Sequence, residues 1–353
     1  MAIFNWLHFG FFVLIILIFV MGMIMAFIYI ERRGLGRFQV RLGPNRAGPF
    51  GILQPVADAI KILLKEDIVP DKGDRLVHWL APVVAFVPVL MIFAVVPFQE
   101  RAVLVDLNIG ILYVVAISSA AVVGVFMAGW GSSNKYSLIG ALRSVAQLVS
   151  YEIPLVLSII GVVLIAGSLS LNEIVNAQTI PFILLQPLGF LIYFLAATAE
   201  VNRTPFDLIE ADSELTTGYN VEYSGMKFAM FYLAEYCHAL AISALITTLF
   251  LGGWSGPLLP PCLWFLIKVF VVFFLIIWVR ATIPRLRIDQ VMAFAWKCLL
   301  PLALLNLLIT GMQVVVWTEA IPWPVVFGNI AIMAIVVVLW SKFFSLGGGR
   351  VEV

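Results

Sequence analysis

Residues 9–30 read FGFFVLIILIFVMGMIMAFIYI, and the next three are Glu31, Arg32 and Arg33. At 1.5 Å per residue a helix of that run is about 33 Å long, enough to cross a ~30 Å hydrocarbon core. Inside hydrocarbon no water satisfies peptide groups, so an uncharged run of this length forms a helix. Charges follow it at once and no small-residue cleavage site is present, so it reads as a retained span and not a removed signal peptide.

Eight more stretches along the chain have the same character: Trp79–Phe98, Ile109–Trp130, Ile153–Gly167, Phe182–Glu200, Phe228–Leu251, Cys262–Val279, Cys298–Trp317 and Val325–Phe344. The fourth span, Ile153–Gly167, is short and borrows residues such as Val149 and Tyr151 at its start. Composition agrees: 63% of the 353 residues are hydrophobic and 12% charged, with a net charge of +1, where soluble domains carry roughly 25% charged residues. A water-soluble globule, a disordered chain and a typical nucleic-acid binder are excluded. The expected fold is all-α: one polytopic integral membrane domain over 1–353, with about nine transmembrane helices and an amphipathic helix at the cytoplasmic interface. Residues 325–344 form an additional C-terminal span.

All but Arg101 and Lys268 of the 21 Lys and Arg residues fall on one side of this arrangement. The positive-inside rule makes that side cytoplasmic, with the N-terminus outside and the C-terminus in the cytoplasm. No internal repeat of the transporter kind is evident.

The cytoplasmic loop 31–78 opens ERRGLGRFQVRLGPNRAGPFGILQPVADAIKILLKED. Leu53, Val56, Ala57, Ile60, Leu63 and Leu64 recur at helical spacing, opposite Gln54, Asp58, Lys61 and Lys65, and Pro55 suits a first turn. Such a helix lies in the interface with its apolar side toward lipid or the bundle. Two readings stand: a surface helix with a snorkelling basic face, or the rim of a cavity shaped by the Gly- and Pro-rich strip before it. GLG at 34–36 is no dinucleotide fingerprint.

The acidic cytoplasmic loop 200–227 contains AEVNRTPFDLIEADSELTTGYNVEYSG. Thr204 then Pro205 reads as a helix start. At ~100° per residue Asp207, Glu210 and Glu214 share a face and Asp212 points away. Neighbouring carboxylates resist simultaneous ionisation, so this face holds a proton near neutral pH; the alternative is a solvated loop docking a basic partner. Glu235 lies roughly 12 Å into its span and faces the interior, whereas Lys268, roughly 9 Å in, has a stem long enough to snorkel. With Glu152, Glu200 and Glu222, these acids make a chain from the loops into the membrane.

Cys237, Cys262 and Cys298 lie far apart with no CxxC, and His8, His78 and His238 make neither a haem pair nor HExxH. The sequence therefore offers no disulfide framework, metal motif or nucleophile with its base. His238 reads as a hydrogen-bonded helix residue.

Four strings carry a family resemblance: ERRGLGRFQVRLGPNRAGPFGILQPVADAIK, GWGSSNKYSLIGALRSVAQLVSYE, AEVNRTPFDLIEADSELTTGYNVEYSGMKFAMFYLAEY and RATIPRLRIDQVMAFAWKCLLP. In collinear order over nearly the whole chain, they resemble the H-subunit family of the proton-translocating NADH:quinone oxidoreductase, respiratory complex I. The resemblance implies a membrane core subunit, without a redox cofactor or metal of its own, that forms a quinone tunnel and couples quinone reduction to proton translocation. Quinone-binding positions would be Arg32, Asp58, Lys61, Phe228 and Arg280. Proton-coupling positions would be Glu152, Glu200, Asp207, Glu210, Glu214, Glu222 and Glu235, with Arg203, Arg285 and Arg287 as counter-charge.

The resemblance further implies a quinone substrate, ubiquinone being the expectation, and partner subunits carrying NADH, FMN and the iron–sulfur clusters. Among these are the bearer of the terminal cluster, the large subunit of the quinone site and the small membrane subunits of the coupling arm. The location implied is a bacterial inner membrane. Asp212 stands where many relatives have Glu or Gln, and Val325–Phe344 extends beyond the family's common eight-span core. The rivals are a membrane subunit of a proton-pumping hydrogenase or formate hydrogenlyase, a stand-alone proton-coupled transporter, and a passive anchor.

Overall fold

The computed structural model describes residues 6–100, 102–207, 218–317 and 323–343. Helices dominate: α1 (Trp6–Phe38), α2 (Gln54–Leu63), α3 (Arg75–Ile92), α4 (Gly110–Gly131), α5 (Lys135–Ala166), α6 (Leu171–Ala177), α7 (Phe182–Leu185), α8 (Pro187–Glu200), α9 (Gly225–Phe250), α10 (Pro261–Thr282), α11 (Ile288–Phe294), α12 (Leu300–Val316) and α13 (Trp323–Phe343). A π-helical turn, Ala295–Leu299, joins α11 to α12. Seven helices are long and apolar enough to cross a membrane, and α8 and the Trp323–Val336 part of α13 are shorter apolar stretches. Each coincides with one of the nine expected stretches.

Three of the differences from the expected boundaries have a plain physical reason. The fourth span is not short: α5 runs 32 residues, roughly 48 Å. Its polar residues Ser144, Gln147 and Ser150 are buried, so they face the bundle instead of ending the span. Asn134 caps its start by accepting from Tyr136 N at 3.0 Å. The fifth stretch, Phe182–Glu200, is broken at Gln186, because Pro187 has no N–H to continue α7. Finally α1 continues through ERRGLGRF to Phe38, so Glu31 and Arg32 sit on a rigid helix and not in a loop.

Helices α3 and α4 approach closely through small residues, as helices in lipid do. A Cβ on Gly124 would stand 2.5 Å from Ala85 N. Helix α9 lies at the centre, with most of its residues from Tyr236 onward buried, and α1, α3, α8 and α10 pack around it. Phe27 of α1 stacks on Phe273 of α10 at 3.8 Å between ring centres.

The expected interfacial helix is α2, and its apolar side turns away from the bundle. Leu53, Ile60, Leu63 and Leu64 are exposed, while Asp58 turns toward α1. The expected helix start at Thr204–Pro205 is absent: residues 201–206 form turns and a bend, with Phe206 N donating to Arg203 O at 2.9 Å.

Candidate functional site

The ends of α1, α8 and α10 bring together charges far apart in sequence. Arg32 on α1 pairs with Asp58 on α2, partly exposed, and Gln54 Nε2 donates to the other Asp58 oxygen at 3.2 Å. One residue earlier, Glu31 is 3% exposed and accepts from Arg280 of α10. Arg203 reaches the same carboxylate at 3.5 Å. Its guanidinium carbon lies 4.3 Å from the centre of the Tyr236 ring on α9. Burial works to discharge Arg203, but Glu31, Glu235 and the neighbouring tyrosines together more than offset it, so the guanidinium is held charged even more firmly than usual.

The loop after α8 is held from α5. Gln147 Nε2 donates to Ala199 O and Phe206 O, both at 2.9 Å. That fixes the position of Asp207, 3% exposed, which pairs with Arg285 at 3.1 Å.

Behind this charged rim are two pockets. The first, about 480 Å³, lies among α3, α4, α5, α8 and α9 and is lined by Glu200, Glu235, His238, Ser118, Asn202 and Tyr219 with apolar neighbours. The second, about 360 Å³, is lined by Glu152, Ser118, Glu200, His238 and Tyr193. They share Ser118, Glu200 and His238. Glu200 accepts from the Ser118 hydroxyl, and His238 Nε2 lies 3.6 Å from Glu200 Oε1. Glu235 and His238 are three apart on α9, one face of the helix. Glu235 is also among the charges acting on Arg203, which links rim to pocket.

The structure therefore brings Glu152, Glu200 and Glu235 together around adjoining pockets, and Arg32, Asp58, Arg203 and Arg280 together at a rim with Glu31. It sets others apart. Glu222 lies in an open groove of about 700 Å³ with Asp71, Lys72 and Lys135, where Asn134 Nδ2 donates to it at 2.6 Å. Lys61 is exposed on α2, and Arg287 heads α11 with no ion pair among the described residues. Phe228, in the first turn of α9, stacks with Tyr232 at 6.3 Å between ring centres. Glu210, Asp212 and Glu214 lie outside the described residues. Lys268 Nζ donates to the carbonyls of Leu251, Gly253 and Ser255 at 2.7, 2.9 and 2.7 Å, capping the end of α9.

Sequence reasoning missed Glu31, Tyr236, Gln147, Ser118 and the contact of His238 with Glu200. No group of three or more potential metal ligands occurs among the described residues.

A family model described as NADH dehydrogenase matches residues 11–311. The H subunit of NADH-quinone oxidoreductase from Dehalococcoides mccartyi is 62% identical over 348 residues, 99% of each chain. The protein of that name from Brevibacillus brevis is 52% identical, covering 85% of this chain and 91% of its own. The one from Bacillus mycoides is 50% identical, covering 87% and 95%.

Proposed function

Because the chain belongs to the H-subunit family of NADH-quinone oxidoreductase, a membrane subunit of complex I, we propose that it forms the quinone tunnel and begins the route coupling quinone reduction to proton translocation. The observation that carries this reading is the pair of pockets sharing Ser118, Glu200 and His238, with Glu235 on one and Glu152 on the other. Ionisable groups inside a membrane bundle are costly and rare, and where they occur they mark ion or proton pathways.

In this reading the rim faces the cytoplasm, following the distribution of Lys and Arg. The quinone head rises toward Arg32, Asp58, Lys61, Phe228 and Arg280. Electrons come from an iron–sulfur cluster on a neighbouring subunit; this chain binds and orients the quinone and moves protons. Asp207, Glu210, Glu214 and Glu222 carry the charge change from the chamber, Glu235, Glu200 and Glu152 pass it into the bundle, and Arg203, Arg285 and Arg287 balance it. Further partners are the large subunit of the quinone site and the small membrane subunits next along the arm, in a bacterial inner membrane.

The test is Glu200→Gln in the assembled complex. NADH-driven quinone reduction and proton pumping should fall together, while electron transfer from NADH to a soluble acceptor persists. Normal pumping and quinone turnover in a fully assembled E200Q complex would remove the pocket from the mechanism.

A further inference from the structure

The break between α7 and α8 puts polar backbone inside the bundle at Leu185–Pro187, and side chains from α8, α12 and α13 gather on it. Gln186 is 2% exposed, Asn306 5%, Thr310 2%, and Gln313 and Asn329 8% each. Gln186 Nε2 donates to Gly161 O at 3.0 Å and to Thr310 Oγ1 at 2.9 Å. The Thr310 hydroxyl donates in turn to Asn306 O at 2.7 Å. From α13, Asn329 Nδ2 donates to Leu185 O at 2.7 Å, the carbonyl the break leaves open. Its Oδ1 accepts from Gln313 Nε2 at 2.5 Å.

Among the described residues, two atoms of this network have no protein partner: Gln186 Oε1, an acceptor, and Asn306 Nδ2, a donor. Both surround one spot. A Cβ on Gly189 would stand 3.1 Å from Asn306 Nδ2 and 3.2 Å from Gln186 Oε1, and one on Gly161 would stand 3.3 and 3.2 Å from the same two atoms. A small pocket opens there, with Ile332 of α13 in its wall.

We infer that this pocket is a water site inside the membrane and that α13 is the helix that seals it. A water accepting from Asn306 Nδ2 and donating to Gln186 Oε1 satisfies both orphaned groups, and such sites need two to four polar partners. Glycine at 161 and 189 leaves the space that a side chain would fill. Without Asn329, the Leu185 carbonyl and the Gln313 amide would face lipid, where an unpaired polar group is costly. Helix α13 lies beyond the residues 11–311 matched by the family model, so this role is separate from the proposed quinone and proton chemistry.

Two measurements on the assembled complex test it. A density map fine enough to show ordered water should place one between Gln186 and Asn306, and Gly189→Ala should abolish that peak. Direct bonding of the two amides, with no density between them, would overturn the water site. The seal is read with a Thr310→Cys reporter in a Cys262→Ser background, where Cys237 and Cys298 stay buried. Modification by a small water-soluble methanethiosulfonate should be slow. It should rise roughly 10- to 100-fold with Asn329→Leu, as an opening equilibrium shifts when a buried hydrogen bond is lost. An unchanged rate in N329L would show that α13 is no seal.

Discussion

Replacing Glu31 by Gln keeps the shape of the side chain and removes the charge that two arginines share. Arg280 retains some contact with solvent, its side chain being 18% exposed, and can turn toward water. Arg203, with 5% of its side chain exposed, cannot. Deleting one partner of a buried pair costs about 3–5 kcal/mol, because the other charge is left uncompensated. Here the Tyr236 ring at 4.3 Å returns part of that, cation–π contacts being worth ~0.5–2 kcal/mol. The expected net loss is about 2–3 kcal/mol.

For a chain of this size each kcal/mol moves a melting midpoint by about 2 °C, so E31Q should lower the temperature at which the chain leaves the detergent-solubilised complex by ~4–6 °C. A double variant, Glu31→Leu with Arg203→Met, should recover most of the loss, since apolar replacement of a whole buried pair is often near neutral. Native gels of heated samples provide the assay. If E31Q is unshifted, or if the double variant loses as much as the two singles together, the pair is not shielded from water and the energetic argument is wrong.

Lys268→Met should cost ~2 kcal/mol through the freed carbonyls at the end of α9, lowering the same release temperature, while pumping per assembled complex stays unchanged. Asp58→Asn should change stability by less than ~1 kcal/mol, because the pair with Arg32 is 38% and 24% exposed and therefore screened. If the rim receives the quinone head, that variant should nonetheless raise the KM for quinone severalfold without altering NADH oxidation by a soluble acceptor. Gln147→Leu frees the carbonyls of Ala199 and Phe206, so limited proteolysis between Arg203 and Tyr219 should quicken by about tenfold; an unchanged cleavage rate would show that the loop is held elsewhere.

Hydropathy made the spans legible because a bilayer demands long apolar runs, and it failed where polarity points inward. Ser144, Gln147 and Ser150 lower the hydropathy of α5 without leaving the bundle, so its true start is hidden from any reading that equates polar with exposed. The break at Gln186–Pro187 carried a signal, a proline within an expected span, that a count of apolar residues passes over. For the site, residue types and loops were readable but pairings were not. Glu31 and Arg280 are 249 positions apart, and nothing local predicts their contact. His238 is different: read from the sequence only as a hydrogen-bonded helix residue, it lies three residues after Glu235 on a helix, a spacing that was signal enough to set it beside the acids.

The carboxylates of the described residues divide by their neighbours. Glu31, Asp58 and Asp207 each sit against an arginine, a charge-assisted pairing that holds the side chain in place. Glu200 instead meets a hydroxyl and an imidazole, partners that tolerate either protonation state. Arg203 stands between the two populations, paired with Glu31 on the rim side and acted on by Glu235 on the pocket side. At an effective dielectric of about 20, a unit charge 4 Å away is worth ~4 kcal/mol, so a new negative charge at the rim competes with Glu235 for the same guanidinium, and a small shift of that group changes its field on both. Under the proposed function that shared arginine is the coupling element: a change of charge at the quinone end reaches the pocket acids through redistribution of one cation, with no large movement of the helices that carry it.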